Sequence, residues 1–158
     1  MNPRFDAYKA APKAAHAMLE LQKYVDSCGF DHLLMELVKT RASQINGCAF
    51  CLDMHTKDAR ALGESEQRLY ALDAWREAPF YSERERAALE WTEAVTLVAE
   101  GHVPDDVYES VKRQFTAEEL VNLTMAIVAI NGWNRLSIAF RAVPGSYISK
   151  FEKLTKGA

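Results

Sequence analysis

The segment from Leu120 to Arg141 restricts most severely what this chain can become. Its centre, Met125-Ala126-Ile127-Val128-Ala129-Ile130, is apolar at every position, so at about 100° per residue a helix here presents no face to water. Such a helix belongs inside a core or at a subunit interface. Thr116-Ala117-Glu118-Glu119 opens it as a capping box, in which the threonine hydroxyl and the second glutamate satisfy each other's orphaned amides. The remainder of the chain must supply the elements that cover it.

Those elements also read as helices. Pro12 suits a first turn, and Ala14, Ala15, Met18, Leu21 and Val25 keep a 3.6-residue stripe that Gly29 ends. Asp31 caps a second helix, with Leu33, Leu34, Leu37 and Val38 turned inward, reaching Ile45 and a turn at Asn46-Gly47. A third is expected from about Cys48 to Leu62 with Gly63 as its C′ residue, then a shorter one from Glu64 to Trp75 that buries Leu69, Tyr70 and Leu72. Ser82-Glu83-Arg84-Glu85 is another capping box, opening a helix to about Ala99 whose stripe from Ala88 to Val98 faces the core until Gly101 and Pro104 stop it. Asp105 or Asp106 starts one more, through Val107, Val111 and Phe115. Pro144-Gly145 ends the apolar segment and leaves a lysine-containing tail expected to fray. No stretch alternates with the period of a strand, so the expected fold is all-α. A chain of 158 residues with 49% apolar side chains has material for one core, hence a single domain over residues 1–158.

The chemistry concentrates between Asn46 and Arg60. Cys48, Cys51 and His55 stand at i, i+3 and i+7, which places them within roughly 60° on one helical face. Three cysteines are too few, and too odd a number, for a secreted disulfide framework; in a reducing compartment a C-x-x-C pair is catalytic or metal-binding. A net charge of −3 offers nothing to nucleic acid or to an anionic membrane. The N-terminus has no apolar signal core and no stretch of about 20 apolar residues follows, so a cytoplasmic location is expected.

Two devices activate a thiol: a helix N-terminus and a nearby imidazole. The first favours Cys48, in the expected first turn after Asn-Gly. The second favours Cys51, whose i+4 neighbour is His55. Upstream, Glu36 is the one polar residue in Leu33-Leu34-Met35-Glu36-Leu37-Val38. Desolvation there raises a carboxyl's pKa and demands a partner, which marks Glu36 as a candidate proton carrier. If the Gln44–Gly47 turn folds the two helices into an antiparallel hairpin, Glu36 and His55 lie at similar distances from it, roughly 11–15 Å at 1.5 Å per residue. The two can meet, giving a relay of carboxylate, imidazole and thiol.

Other arrangements use the same residues. Glu36, Cys48, Cys51 and His55 make an acceptable zinc set, although no second C-x-x-C supports a structural site. A c-type haem is excluded because Leu52 stands where its histidine is required. His16, His32 and His102 read as surface or capping residues and Cys28 as helix-end packing. Trp133, Asn134 and Arg135 read as a hydrogen-bonded cluster; Tyr70, Trp75, Phe80 and Tyr81 read as packing rather than pocket lining.

The spacing Glu36, then Cys48-x-x-Cys51-x-x-x-His55, resembles the redox motif of the alkylhydroperoxidase D (AhpD) branch of the carboxymuconolactone decarboxylase family. Gln44-Ile45-Asn46-Gly47-Cys48, Asp53-Met54-His55-Thr56-Lys57 and Asn131-Gly132-Trp133-Asn134-Arg135 are also similar to AhpD-like sequences. The resemblance implies a compact, oligomeric, all-α peroxidase that reduces organic hydroperoxides through a dithiol/disulfide cycle and needs no cofactor. It implies Cys51 as the attacking thiolate, Cys48 as resolving partner, a Cys48–Cys51 disulfide, and Glu36 and His55 as the proton relay. A lipoyl-bearing or thioredoxin-like protein would be the reductant. The best-known members place a second histidine between the cysteines, where this chain has Ala49-Phe50. The decarboxylase branch lacks the thiol pair and matches less well. A dithiol adapter without peroxidase activity, or a zinc-bound interaction module, are the other functions these residues allow.

Overall fold

The computed structural model describes residues 2–151, which form nine α-helices, one short 3-10 turn and no strand. The helices are α1 (Ala7–Ala10), α2 (Pro12–Asp26), α3 (His32–Asn46), α4 (Ala49–Ala61), α5 (Glu66–Tyr70), α6 (Glu83–Thr96), α7 (Val98–Gly101), α8 (Asp105–Val111) and α9 (Ala117–Phe140), with the 3-10 turn at Leu72–Ala74. No helix among the described residues is long and apolar enough to cross a membrane.

Helix α3 sits at the centre, packed against α4, α6 and α9. Its Leu34, Met35 and Val38 join Trp91 of α6 and Leu123 and Ile127 of α9 in the larger core cluster. Its Leu37 turns instead to a second cluster with Ala59, Leu69, Leu72, Trp75 and Leu89. An element buried on two faces tolerates one register only, which fixes where Glu36, between those faces, must lie.

The caps are where the sequence places them. Asp31 accepts from the Leu34 amide, and Ser82 and Thr116 complete both capping boxes. Gly47 closes α3 in the left-handed region (φ 67°), with its amide on Gln44 O and the Cys48 amide on Ser43 O at 3.0 Å. That geometry favours glycine and reverses the chain within two residues, making α3 and α4 an antiparallel hairpin.

Four expectations change. Tyr70 is 72% exposed, because α5 is only five residues long and the face carrying Leu69 uses up its contact with the core. Helix α6 stops at Thr96, and Val98, on the short α7, is exposed beyond the end of the stripe that faces the core. The apolar helix α9 is not covered all round within one chain: Val121 is 62% and Val128 46% exposed, while Leu123, Ala126, Ile127, Ala129 and Ile130 are buried in the core. Residues 145–151 do not fray but lie along α4, held by hydrogen bonds; the rest of the expected tail, residues 152–158, lies outside the described residues.

Candidate active site

The four residues singled out by spacing converge. Cys48 is the N-cap of α4, not a residue of its first turn, and Cys51, third in the helix, occupies that turn. The two are joined as a disulfide with their Cα atoms 5.4 Å apart. Each is 1% exposed, and the Cys51 amide donates to Cys48 Sγ at 3.4 Å. The helix dipole therefore acts on both sulfurs.

Across the hairpin, His55 Nδ1 lies 2.7 Å from Glu36 Oε2, and Lys39, one turn along α3, donates to Glu36 Oε1 at 2.8 Å. Glu36 is 2% exposed. Burial works to raise its pKa, but the His55 ring and the Lys39 ammonium outweigh burial and hold the carboxyl at about 2. The upward shift expected from desolvation is thus reversed, because the apolar run conceals two polar partners that periodicity alone does not bring together. The two partners favour the ionised form of Glu36, the state in which a carboxylate orients an imidazole. An ionised carboxylate only accepts, so the Nδ1–H of His55 donates to it, leaving Nε2 as the ring nitrogen turned away from Glu36. That Nε2 is buried and has no hydrogen-bond partner among the described residues.

Cys51 and His55 line a cavity of about 250 Å³; Cys48 does not. Leu19, Met54, Ile130 and Trp133 supply its apolar wall, and Tyr8 stacks on Trp133 with ring centroids 6.2 Å apart. None of Tyr70, Trp75, Phe80 or Tyr81 reaches it; Trp75 and Tyr81 pack in the second core cluster. Ala49 and Phe50, which occupy the place of the additional histidine, are absent from its lining as well.

Sequence reasoning missed Lys39, Asp58 and Tyr147. Lys39 stands at i+3 from Glu36, and Asp58 at i+3 from His55, spacings that could have announced them. Asp58 is buried, accepts from Tyr147 Oη at 3.0 Å and from Ser149 Oγ at 2.6 Å, and lies with Glu36 and His55 so that one ligand atom of each falls within 4.8 Å of the others. Burial first, then the Asp58 charge, pushes the Tyr147 phenol up to about 12. A cation fits this trio poorly: Lys39 already neutralises Glu36, two hydroxyls occupy Asp58, and only His55 Nε2 is free to bind. The zinc set read from the sequence also requires both thiolates, which here are spent on each other.

Around the site, a polar cluster fixes the turn to α9. Asn46 Nδ2 reaches Asn131 Oδ1 and Asn134 Oδ1, both at 2.9 Å, and Asn134 Nδ2 donates to Ser43 Oγ at 3.0 Å. Gly132 faces Met18 of α2, whose methyl group would lie 2.8 Å from an added Cβ. Of the cluster read at Trp133, Asn134 and Arg135, Asn134 is buried and hydrogen-bonded, Trp133 donates to Gln22 Oε1 at 3.1 Å and faces the cavity, and Arg135 is exposed and bonds back to Asn131 on its own helix.

The sequence model of the carboxymuconolactone decarboxylase family matches residues 12–94. The uncharacterised protein YdfG of Bacillus subtilis is 47% identical over 139 residues, 88% of this chain and 95% of that protein. An Agrobacterium tumefaciens crystal structure of a protein of unknown function, described as a candidate antioxidant defence protein AhpD, superposes with a TM-score of 0.89 at 46% identity, covering 92% of this chain and 100% of the other. The alkylhydroperoxidase AhpD core of an uncharacterised peroxidase-related protein from Ralstonia eutropha shares the fold, with a TM-score of 0.76 at 17% identity over 92% of this chain and 76% of that one. The chain is an AhpD-like member of the carboxymuconolactone decarboxylase family.

Proposed function

We propose that this protein is a thiol peroxidase that reduces organic hydroperoxides through a Cys48/Cys51 dithiol-disulfide cycle. The observation that carries the reading is His55: its Nδ1 is pinned to an ionised Glu36, while its unpartnered Nε2 belongs to the same cavity wall as Cys51. A ring held in this way is prepared to take the Cys51 proton and return it. The Cys51 thiolate attacks the distal oxygen of the hydroperoxide, the O–O bond breaks, and the proton passes to the leaving alkoxide. Cys51 is left as a sulfenic acid. Cys48 then attacks that sulfur, water departs and the disulfide forms. The helix N-terminus serves both sulfurs, so access supports Cys51 as the attacking thiol: it shares the cavity wall with His55, whereas Cys48, the N-cap whose Sγ accepts from the Cys51 amide, is off the cavity and suits the resolving role.

Family likeness to proteins described as antioxidant and peroxidase-related supports the same reading. The reductant would be a lipoyl-bearing or thioredoxin-like dithiol. The protein would act in the cytoplasm as one domain and as a homo-oligomer, whose contact would use the exposed Val121 and Val128 face of α9. The test is turnover of cumene hydroperoxide with a dithiol. Wild type should exceed Cys51→Ser by at least about a hundredfold; equal rates sink the reading. Rapid dithiol exchange without hydroperoxide-dependent oxidation would mark a dithiol adapter instead.

A further inference from the structure

The disulfide is nearly inaccessible, and Cys51 is its only sulfur on the cavity. A reductant has to bring a thiolate into contact with that sulfur. A cavity of about 250 Å³ accommodates a small organic molecule and not a polypeptide loop. Something must move before a dithiol set in a polypeptide surface can react.

Residues 145–151 form part of the cavity wall through Tyr147 and Lys150. Their attachment to α4 is polar and uses three of its residues. The Gly145 amide donates to Asp53 at 2.9 Å, Lys57 Nζ donates to the carbonyls of Gly145 and Tyr147 at 3.3 and 3.1 Å, and the Tyr147 and Ser149 hydroxyls both donate to Asp58. Ile148, between the two hydroxyls, is 73% exposed and anchors nothing. Asp58 is a buried carboxylate with no ion-pair partner among the described residues, so these hydroxyls stand where water would solvate it. Lifting the strap lets water take their place, which keeps opening an exchange of hydrogen bonds rather than a loss of core.

We propose that the 145–151 strap selects the co-substrates of this site by size, with Asp58 as its catch and Tyr147 and Ser149 as its latch. Closed, it admits small molecules to Cys51. A dithiol set in a polypeptide surface, as in a thioredoxin-like protein, reaches Cys51 only when it opens. In that step the reductant's thiolate bonds to Cys51 Sγ, the Cys48–Cys51 bond breaks and Cys48 leaves as a thiolate. The reductant's second thiol then displaces Cys51. Two electrons and two protons pass to the Cys pair, and the reductant becomes a disulfide.

The proposal rests on Cys48 and Cys51 being a redox pair, so the experiment reads the reductive step alone, without peroxide. The disulfide form of the full chain is reduced by free dihydrolipoamide or by the dithiol of a thioredoxin-like domain, which is set in a polypeptide surface, and free thiols are followed by alkylation and mass. Ser149→Ala and Lys57→Met each loosen a different part of the strap. Either should speed reduction by the domain about three- to tenfold while changing reduction by the free dithiol less than about twofold. Parallel changes with both reductants, or an unchanged ratio, overturn the gate. If free dihydrolipoamide reduces neither wild type nor variants, the redox reading itself fails and takes the gate with it, an outcome distinct from failure with the domain alone.

Discussion

The two structures that meet on α4 are held in opposite ways. The α3–α4 hairpin is fixed by buried apolar side chains on two faces of α3, by a left-handed glycine at its turn and by the Lys39–Glu36–His55 contact inside it. The 145–151 strap lies along the same helix through hydrogen bonds to Asp53, Lys57 and Asp58, with its apolar Ile148 facing solvent. Packing fixes position to fractions of an ångström; exchangeable hydrogen bonds fix it only while they last. The contrast assigns the geometry of the chemistry to the hairpin and leaves access to the strap.

The sharpest way to break that contrast is at Glu36. Glu36→Gln leaves the buried Lys39 ammonium without its counter-charge and should cost about 3–5 kcal/mol in urea unfolding. A loss below about 1 kcal/mol would mean that the hairpin does not depend on its buried charge contact. Acid probes the same contact without mutation. Glu36 is depressed from the ordinary 4.5 to about 2, so between those values the unfolded chain binds the proton more readily; the stability this carboxylate supplies is complete above about 4.5 and drains away as pH falls towards 2. That share is on the order of 3 kcal/mol, and Glu36→Gln should abolish it. Gly47→Ala tests the turn: with nothing within 4 Å of the added Cβ, the penalty is backbone strain alone, roughly 1–2 kcal/mol. The smallest effect belongs to the strap. Ser149→Ala should lower global stability by less than about 1 kcal/mol while raising hydrogen exchange in residues 145–151, since that segment can open without unfolding the core. A loss as large as that of Glu36→Gln would erase the distinction between the two regions.

How far the sequence discloses the molecule follows the same division. Glu36 and His55 were legible as partners because helical rise on either side of Asn46-Gly47 puts them opposite each other, and the hairpin obeys that arithmetic. The caps at Asp31, Ser82 and Thr116 were legible because capping is local. The direction of the Glu36 pKa shift was not, since it turns on the side-chain directions of Lys39 and His55 rather than on the apolar run around it. Tyr147 and Ser149 left no periodic trace: their positions are set by an irregular segment crossing a distant helix. The exposed Val121–Val128 face shows the converse limit, because an apolar helix in a sequence does not say whether its cover comes from the same chain.

The central claim is that Cys51, served by His55, is the sulfur that meets peroxide. Reduced Cys48→Ser protein treated with one equivalent of cumene hydroperoxide and digested for mass spectrometry tests it directly. One added oxygen confined to Cys51, and in wild type a Cys48–Cys51 disulfide instead, is the expected result. Oxygen appearing on Cys51→Ser protein at Cys48 at an equal rate, or on neither sulfur in either variant, would contradict it.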